Sequence, residues 1–230
     1  MSDNDITVPV ALSGRHVHLS QEHVDALFGS GYQLNWLSDL SQPGQYACRE
    51  TVEVMGPKRS FSKVRVLGPV RKETQVELST TDGVMLGINL PTRDSGDIKG
   101  TPGAYLIGPR GAIKIHEGCI VASRHIHTTP EDAQRLGVHD KQKVWVQIEG
   151  ARGLIFSDVL IRVSPDFKTE LHLDLDEGNA ASIRNGDQGR ILSNICSDLC
   201  QLKQCGISSD LRPGESQPFC QFTSSGWSIR

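Results

Sequence analysis

Apolar and polar residues alternate in short runs along most of this chain, and glycine or proline closes nearly every run. Val64-Arg65-Val66-Leu67, Gly103-Ala104-Tyr105-Leu106-Ile107 and Lys143-Val144-Trp145-Val146-Gln147-Ile148 show the period of a β-strand. Gln42-Pro43-Gly44, Gly56-Pro57, Gly68-Pro69 and Gly108-Pro109 stand between such runs as turns. Helical spacing is confined to 20–28, 130–136 and 177–184. Ser20 and Thr129 suit the N-cap, Pro130 suits the first helical position, and Gly29 and Gly137 stop the first two helices. Many short strands with few helices predict a mainly β chain of barrels or sandwiches.

The pattern also repeats. Arg15-His16-Val17-His18 returns as Arg124-His125-Ile126-His127, and at the same offset of 109 Glu22 and Leu27 meet Glu131 and Leu136. Phe61-Ser62-Lys63-Val64 resembles Phe156-Ser157-Asp158-Val159 at an offset near 95. We read this as an internal duplication giving two pseudo-symmetric β-barrel domains with short helices. The first half covers 7–90 and the second 122–192. Segment 91–121 crosses between them with strands shared by both, and 193–230 is a cysteine-bearing tail without defined structure. The loop from Leu90 to Pro102 reads either as a plain linker or as a backbone that approaches a ligand.

Residues two apart on a strand share a face, so each His-x-His pair can close on one metal ion. The duplication adds a third member to each pair. Glu77 in Thr74-Gln75-Val76-Glu77-Leu78 corresponds to His172 in Thr169-Glu170-Leu171-His172-Leu173. Two sets result: His16, His18 and Glu77, and His125, His127 and His172. Three protein ligands with one open position is the pattern of a catalytic zinc, which implies two Zn2+ per chain.

Composition narrows the function by exclusion. Net charge is −3 over 230 residues, with both signs mixed, so nothing favours nucleic acid. Met1-Ser2-Asp3-Asn4-Asp5 lacks the start of a signal peptide, and no apolar run is long enough for a membrane helix. We expect an intracellular, soluble protein. Cys48 and Cys119 read as small buried hydrophobes without a neighbouring base. Cys196, Cys200, Cys205 and Cys220 crowd the tail at spacings that fit no common zinc knot, and free thiols are expected there.

Two open zinc sites can bind an anion, activate water, hold a thiolate or polarise a carbonyl. Arg71 and Arg162 precede the third-ligand strands, and Arg15 and Arg124 directly precede the histidine pairs. Guanidinium groups beside a metal point to an anionic, phosphate-bearing substrate. A dinuclear zinc hydrolase acting on a thioester or phosphoester and a non-catalytic metal-binding module both fit this ground.

The chain resembles the PduL-type phosphate acyltransferases, the phosphate propanoyltransferases of propanediol utilisation. The likeness is carried by Ser13-Gly14-Arg15-His16-Val17-His18-Leu19-Ser20, Gln42-Pro43-Gly44-Gln45-Tyr46-Ala47, Val64-Arg65-Val66-Leu67-Gly68-Pro69, Gly100-Thr101-Pro102-Gly103 and Ala122-Ser123-Arg124-His125-Ile126-His127. It covers residues 7–192 and implies two β-barrel domains around a dinuclear zinc site, with the six ligands already named. The implied reaction converts acyl-CoA (propanoyl, with acetyl as a further donor) and phosphate to acyl phosphate and CoA. Arg71 is the implied catalytic and phosphate-binding residue, Arg162 and Ser95 join it on phosphate, and Ser13, Arg65, Leu67 and Asn179 are implied CoA contacts. The expected mechanism is direct attack of phosphate on the thioester, with CoA sulfur and phosphate held at neighbouring zinc ions and no acyl-enzyme. The family also implies an acyl kinase as functional partner and allows a homo-oligomer. Few residues precede the first strand, so a cytoplasmic location is expected rather than a bacterial microcompartment.

Overall fold

The computed structural model describes residues 6–192, 220–223 and 226–229. In chain order the first half contributes β1 (Thr7–Ser13), β2 (His16–Ser20), α1 (Gln21–Phe28), β3 (Trp36–Asp39), β4 (Tyr46–Met55), β5 (Ser60–Arg71), β6 (Gln75–Glu77) and α2 (Thr80–Leu86). The crossing segment holds β7 (Thr92–Arg93), β8 (Ala104–Ile107), β9 (Ala112–Ile115) and β10 (Cys119–Ala122). The second half follows with β11 (His125–Thr128), α3 (Pro130–Leu136), β12 (Lys143–Ile148), β13 (Leu154–Val163), β14 (Glu170–Asp174), α4 (Leu175–Ala181) and β15 (Gln188–Leu192). The chain is mainly β, as its alternation requires. No described helix is long and apolar enough to cross a membrane.

Two sheets account for these strands. One is a closed barrel in the order β1-β14-β11-β13-β12-β15. The other has nine strands in the order β7-β10-β6-β2-β5-β4-β8-β9, with β3 on β4, and it curls as a half-barrel without closing. Each has its own core. The nine-stranded sheet, with the first histidine pair, is the first and its core holds Val17, Leu19, Val52, Val66 and Val76; the closed barrel is the second, with Ile126, Val146, Ile161 and Leu171.

The sheets do not follow the two halves of the sequence at one pair of strands. β1 precedes the first histidine pair but lies in the closed barrel, parallel to β14, with Ala11 opposite His172. β10 precedes the second histidine pair but lies in the first sheet, parallel to β6, with Ile120 opposite Glu77. Ala11 and Ile120 are 109 residues apart, the offset of the histidine repeat. Each half therefore lends its leading strand to the other and sets it beside the third-ligand strand. Val8 and Val10 are buried in the second core, and Cys119 in the first. Gly178 of α4 packs so tightly on lent β1 that a Cβ there would come 2.6 Å from Leu12 Cδ2. The crossing segment also differs from its expected sharing, because β7, β8, β9 and β10 all join the first sheet.

Helix α1 is capped by Ser20 and α3 by Thr129, with Pro130 at the start and Gly137 in the left-handed conformation at the end. α4 starts at Leu175 rather than 177, because Asp174 and Glu177 form a capping box. The sequence reading lacked α2, whose two threonines and Gly83 hide it. Its signal is a capping box too, Ser79 with Asp82, closed by left-handed Gly87.

Residues 6–191 belong to one compact unit, and the described residues beyond it to a second. Within the second, β16 (Cys220–Thr223) and β17 (Gly226–Ile229) pair antiparallel, a regular element where none was expected. Cys196, Cys200 and Cys205 lie outside the described residues.

Candidate active site

β2 runs between β5 and β6, and β11 between β13 and β14. This register sets His16 opposite Glu77 and His125 opposite His172. The ligand atoms of His16, His18 and Glu77 lie within 4.8 Å of one another, as do those of His125, His127 and His172. His16 Nε2 is 3.4 Å and His18 Nε2 3.8 Å from the Glu77 carboxylate. In the second set the His125 and His172 rings stack at 5.0 Å and His127 meets them edge-on. Both sets face one cleft of about 490 Å³, so the structure brings together all six residues singled out from the sequence.

Matching contacts orient the rings. His16 Nδ1 lies 2.8 Å from the Gly14 carbonyl, and His125 Nδ1 2.8 Å from the Ser123 carbonyl. A carbonyl only accepts, so Nδ1 carries the hydrogen and Nε2 keeps the lone pair. His18 Nδ1 and His127 Nδ1 are buried without a hydrogen-bond partner. Such orphaned nitrogens at equivalent positions are costly unless a Lewis acid takes up the lone pair of that nitrogen. The donor sets and these orphaned atoms fit a metal ion in each half.

Charge follows burial. Desolvation, with neighbouring histidines and arginines, lowers His18 to about 3, His127 to about 2 and His172 to about 3. Burial also lowers His125. His16 is the exception: burial opposes its charge, but Glu77 and the Gly14 carbonyl outweigh it and raise the pKa above 6.5. Burial alone would raise Glu77, yet the adjacent His16 and His18 and then Arg71 hold it well below the usual carboxylate range. The sign of the pH dependence follows for metal-free protein. Below 6.5 the unfolded chain binds protons that folded His18, His127 and His172 refuse, so stability falls as pH drops from 6.5 toward 3. His16 works in the opposite sense, as do Asp174 and Glu177, whose burial raises them, while the depressed Glu77 adds to the fall at the acid end. Chemical denaturation of chelator-stripped protein across this window is expected to show that fall, and a stability that rises on acidification would refute it.

The arginines divide into two kinds. Arg71 and Arg162 line the cleft. Arg71 donates to Ser95 Oγ (3.3 Å), and Ser95 donates to Glu77 Oε1 (3.0 Å). Ser95 thus ties Arg71 to the first set. Arg162 stands opposite His127 across β13, where Leu67 stands opposite His18 across β5, so Arg162 corresponds to Leu67 and not to Arg71. Arg15 also lines the cleft, but it and Arg124 are held by structural partners. Arg15 pairs with Asp82 at 2.7 Å and lies over Phe61, and Arg124 pairs with Glu177 at 2.9 Å and lies over Phe156. Asp82 and Glu177 are the capping-box acids of α2 and α4. The two arginines brace the turns ahead of the histidine pairs.

A family model described as phosphate propanoyltransferase matches residues 9–184. The chain belongs to the phosphate propanoyltransferase family. It is 54% identical over 185 residues to a phosphate propanoyltransferase of Listeria monocytogenes, covering 80% of this chain and 87% of that one. It is 56% identical over 179 residues to one from Thermotoga maritima, covering 77% and 85%. A Priestia megaterium phosphate propanoyltransferase is 55% identical over 183 residues, covering 80% and 84%. The chain is accordingly an acyltransferase.

Of the residues that the phosphate propanoyltransferase resemblance assigned to CoA, Ser13, Arg65 and Leu67 line the cleft. Arg65 also donates to the Cys48 and Arg49 carbonyls where β4 bulges. Asn179 is exposed on α4, away from the cleft lining. Cys48 and Cys119 are fully buried, and burial pushes their thiols up to about 11 and about 12. Neither can serve as a nucleophile near neutral pH. Sequence reasoning missed Gln42, Gln75, Phe167 and Glu170. Phe167 packs on His127 with ring centroids 4.1 Å apart. Gln75 and Glu170 carried a signal, since both stand two residues before a proposed ligand at the repeat offset.

Proposed function

We propose that this chain transfers a propanoyl group, and also acetyl, reversibly between CoA and inorganic phosphate, at a site holding two zinc ions. The observation that carries the reading is the pair of matched ligand sets on one cleft that Arg71 and Arg162 also line. His16, His18 and Glu77 would hold one ion, and His125, His127 and His172 the other. Imidazole-rich sets favour zinc over magnesium. Zinc bound there supplies Lewis acidity, which favours thiolate over thiol and polarises a carbonyl.

The chain's own residues do the rest. Arg71 and Arg162 present guanidinium charge to the phosphate and offset its repulsion from the departing thiolate. Ser95 fixes Arg71 by a hydrogen bond, so the clamp is set before the anion arrives. A phosphate oxygen attacks the thioester carbonyl carbon. The new C–O bond forms, the C–S bond breaks, and its electron pair leaves on the CoA sulfur. Neither Cys48 nor Cys119 carries the acyl group, because both are buried and burial keeps their thiols protonated. Ser13, Arg65 and Leu67 stand where CoA would enter. A cytoplasmic location and a partner acyl kinase that consumes acyl phosphate belong to the same proposal.

A CoA-release assay tests it, using propanoyl-CoA and acetyl-CoA with and without phosphate, before and after chelation. Release should require phosphate and be lost on chelation. Release of CoA without phosphate would instead indicate a hydrolase.

A further inference from the structure

Gln75 and Glu170 occupy equivalent places. Gln75 stands opposite His18 and two residues before Glu77, and Glu170 stands opposite His127 and two residues before His172. Both are buried, Gln75 at 2% and Glu170 at 8% exposure, and neither lines the cleft. Gln75 Nε2 donates to Glu77 Oε1 at 2.6 Å and to Ser95 Oγ at 2.9 Å. Glu170 Oε2 lies 3.4 Å from His172 Nε2. The chemistry is inverted between the halves. A neutral amide faces the carboxylate of the first set, and a carboxylate faces the imidazole of the second.

We propose that Gln75 and Glu170 are the matched outer partners of the two metal sets, positioning residues that fix Glu77 and His172 and equalise charge between them. This inference rests on the dinuclear reading above. With the partners included, each half holds one carboxylate: Glu77 within the first set, Glu170 just outside the second. An amide donor orients Glu77 and leaves its second oxygen toward His16. A buried carboxylate supplies the negative charge that three imidazoles lack.

Each partner is itself anchored from outside its strand. The Gly96 amide donates to Gln75 Oε1 at 2.7 Å, so the loop after β7 holds the first. Gln42 holds the second from the other half of the chain. Its Nε2 lies 3.4 Å from Glu170 Oε2, 3.3 Å from His172 Nε2 and 3.0 Å from the Lys168 carbonyl, while its Oε1 accepts from the Lys168 amide, so it spans both members of the Glu170–His172 pair. Oriented outer partners commonly account for 10- to 100-fold in metal affinity.

The test is zinc titration of metal-free, full-length protein against a chromophoric chelator. Glu77→Ala and His172→Ala serve as references, each leaving one intact set. Gln75→Met should weaken, by about 10- to 100-fold, the binding step that Glu77→Ala removes. Glu170→Gln should weaken to a similar degree the step that His172→Ala removes. In each case the other step should stay unchanged. Glu170→Gln is isosteric and carries the test alone if Gln75→Met does not fold. If the unaltered chain binds two ions and the variants bind them equally well, or lose both together, the inference fails and the dinuclear reading stands. An unaltered chain that binds no zinc overturns both.

Discussion

Replacing His127 with alanine is expected to abolish acyl transfer and to cost the chain about one metal ion, because an open site retains only two of three ligands. The ring is buried, has an orphaned Nδ1, and packs against Phe167. Alanine would remove the donor and leave a space beside His125 and His172. His125→Ala should behave alike. Elemental analysis of purified protein, read beside turnover with propanoyl-CoA, distinguishes this from simple misfolding: the first set should keep its ion. Full metal content with normal turnover would end the two-set model.

The second large effect is expected at Arg71. Both Arg71→Ala and Arg71→Lys should damage phosphate use more than CoA binding. Loss of one strong electrostatic stabiliser costs about 2–4 kcal/mol in the transition state. Lysine retains charge but loses the planar fork, and with it the contact to Ser95 that links this side chain to Glu77. The split should appear as a raised apparent constant for phosphate and lower turnover, with the constant for acyl-CoA little changed. If phosphate dependence is unaltered, Arg162 becomes the clamp, since it faces the same cleft.

The six candidate ligands were legible because two periodicities coincide. A strand puts His16 and His18 on one face, and duplication marks Glu77 and His172 as equivalent although neither stands out locally. Long-range pairing left no such mark. The alternation that buries Val8 and Val10 would look the same whichever sheet received β1, so the exchange of leading strands was invisible. Gln42 reaches Lys168 across 126 residues, beyond anything its Gln-Pro-Gly context announces. Proximity in sequence misdirected the reading of Arg15 and Arg124. Each adjoins a histidine but precedes the strand that carries it, and there the capping acids of α2 and α4 hold it. Helix α2 was obscured by its composition, although its capping box repeats that of α4.

The exchange of β1 and β10 bears on how such a molecule came to exist. A half-length chain, with its own leading strand committed elsewhere, has a vacant seam beside the strand that carries its third ligand. A second copy of that chain fills the seam and receives the same in return, so a twofold dimer of one repeat would close both seams at once. Joining the copies end to end preserves every such pairing while freeing each half to diverge. Glu77 against His172, and Gln75 against Glu170, are differences that only a fused pair can hold, because identical subunits must change both sites together.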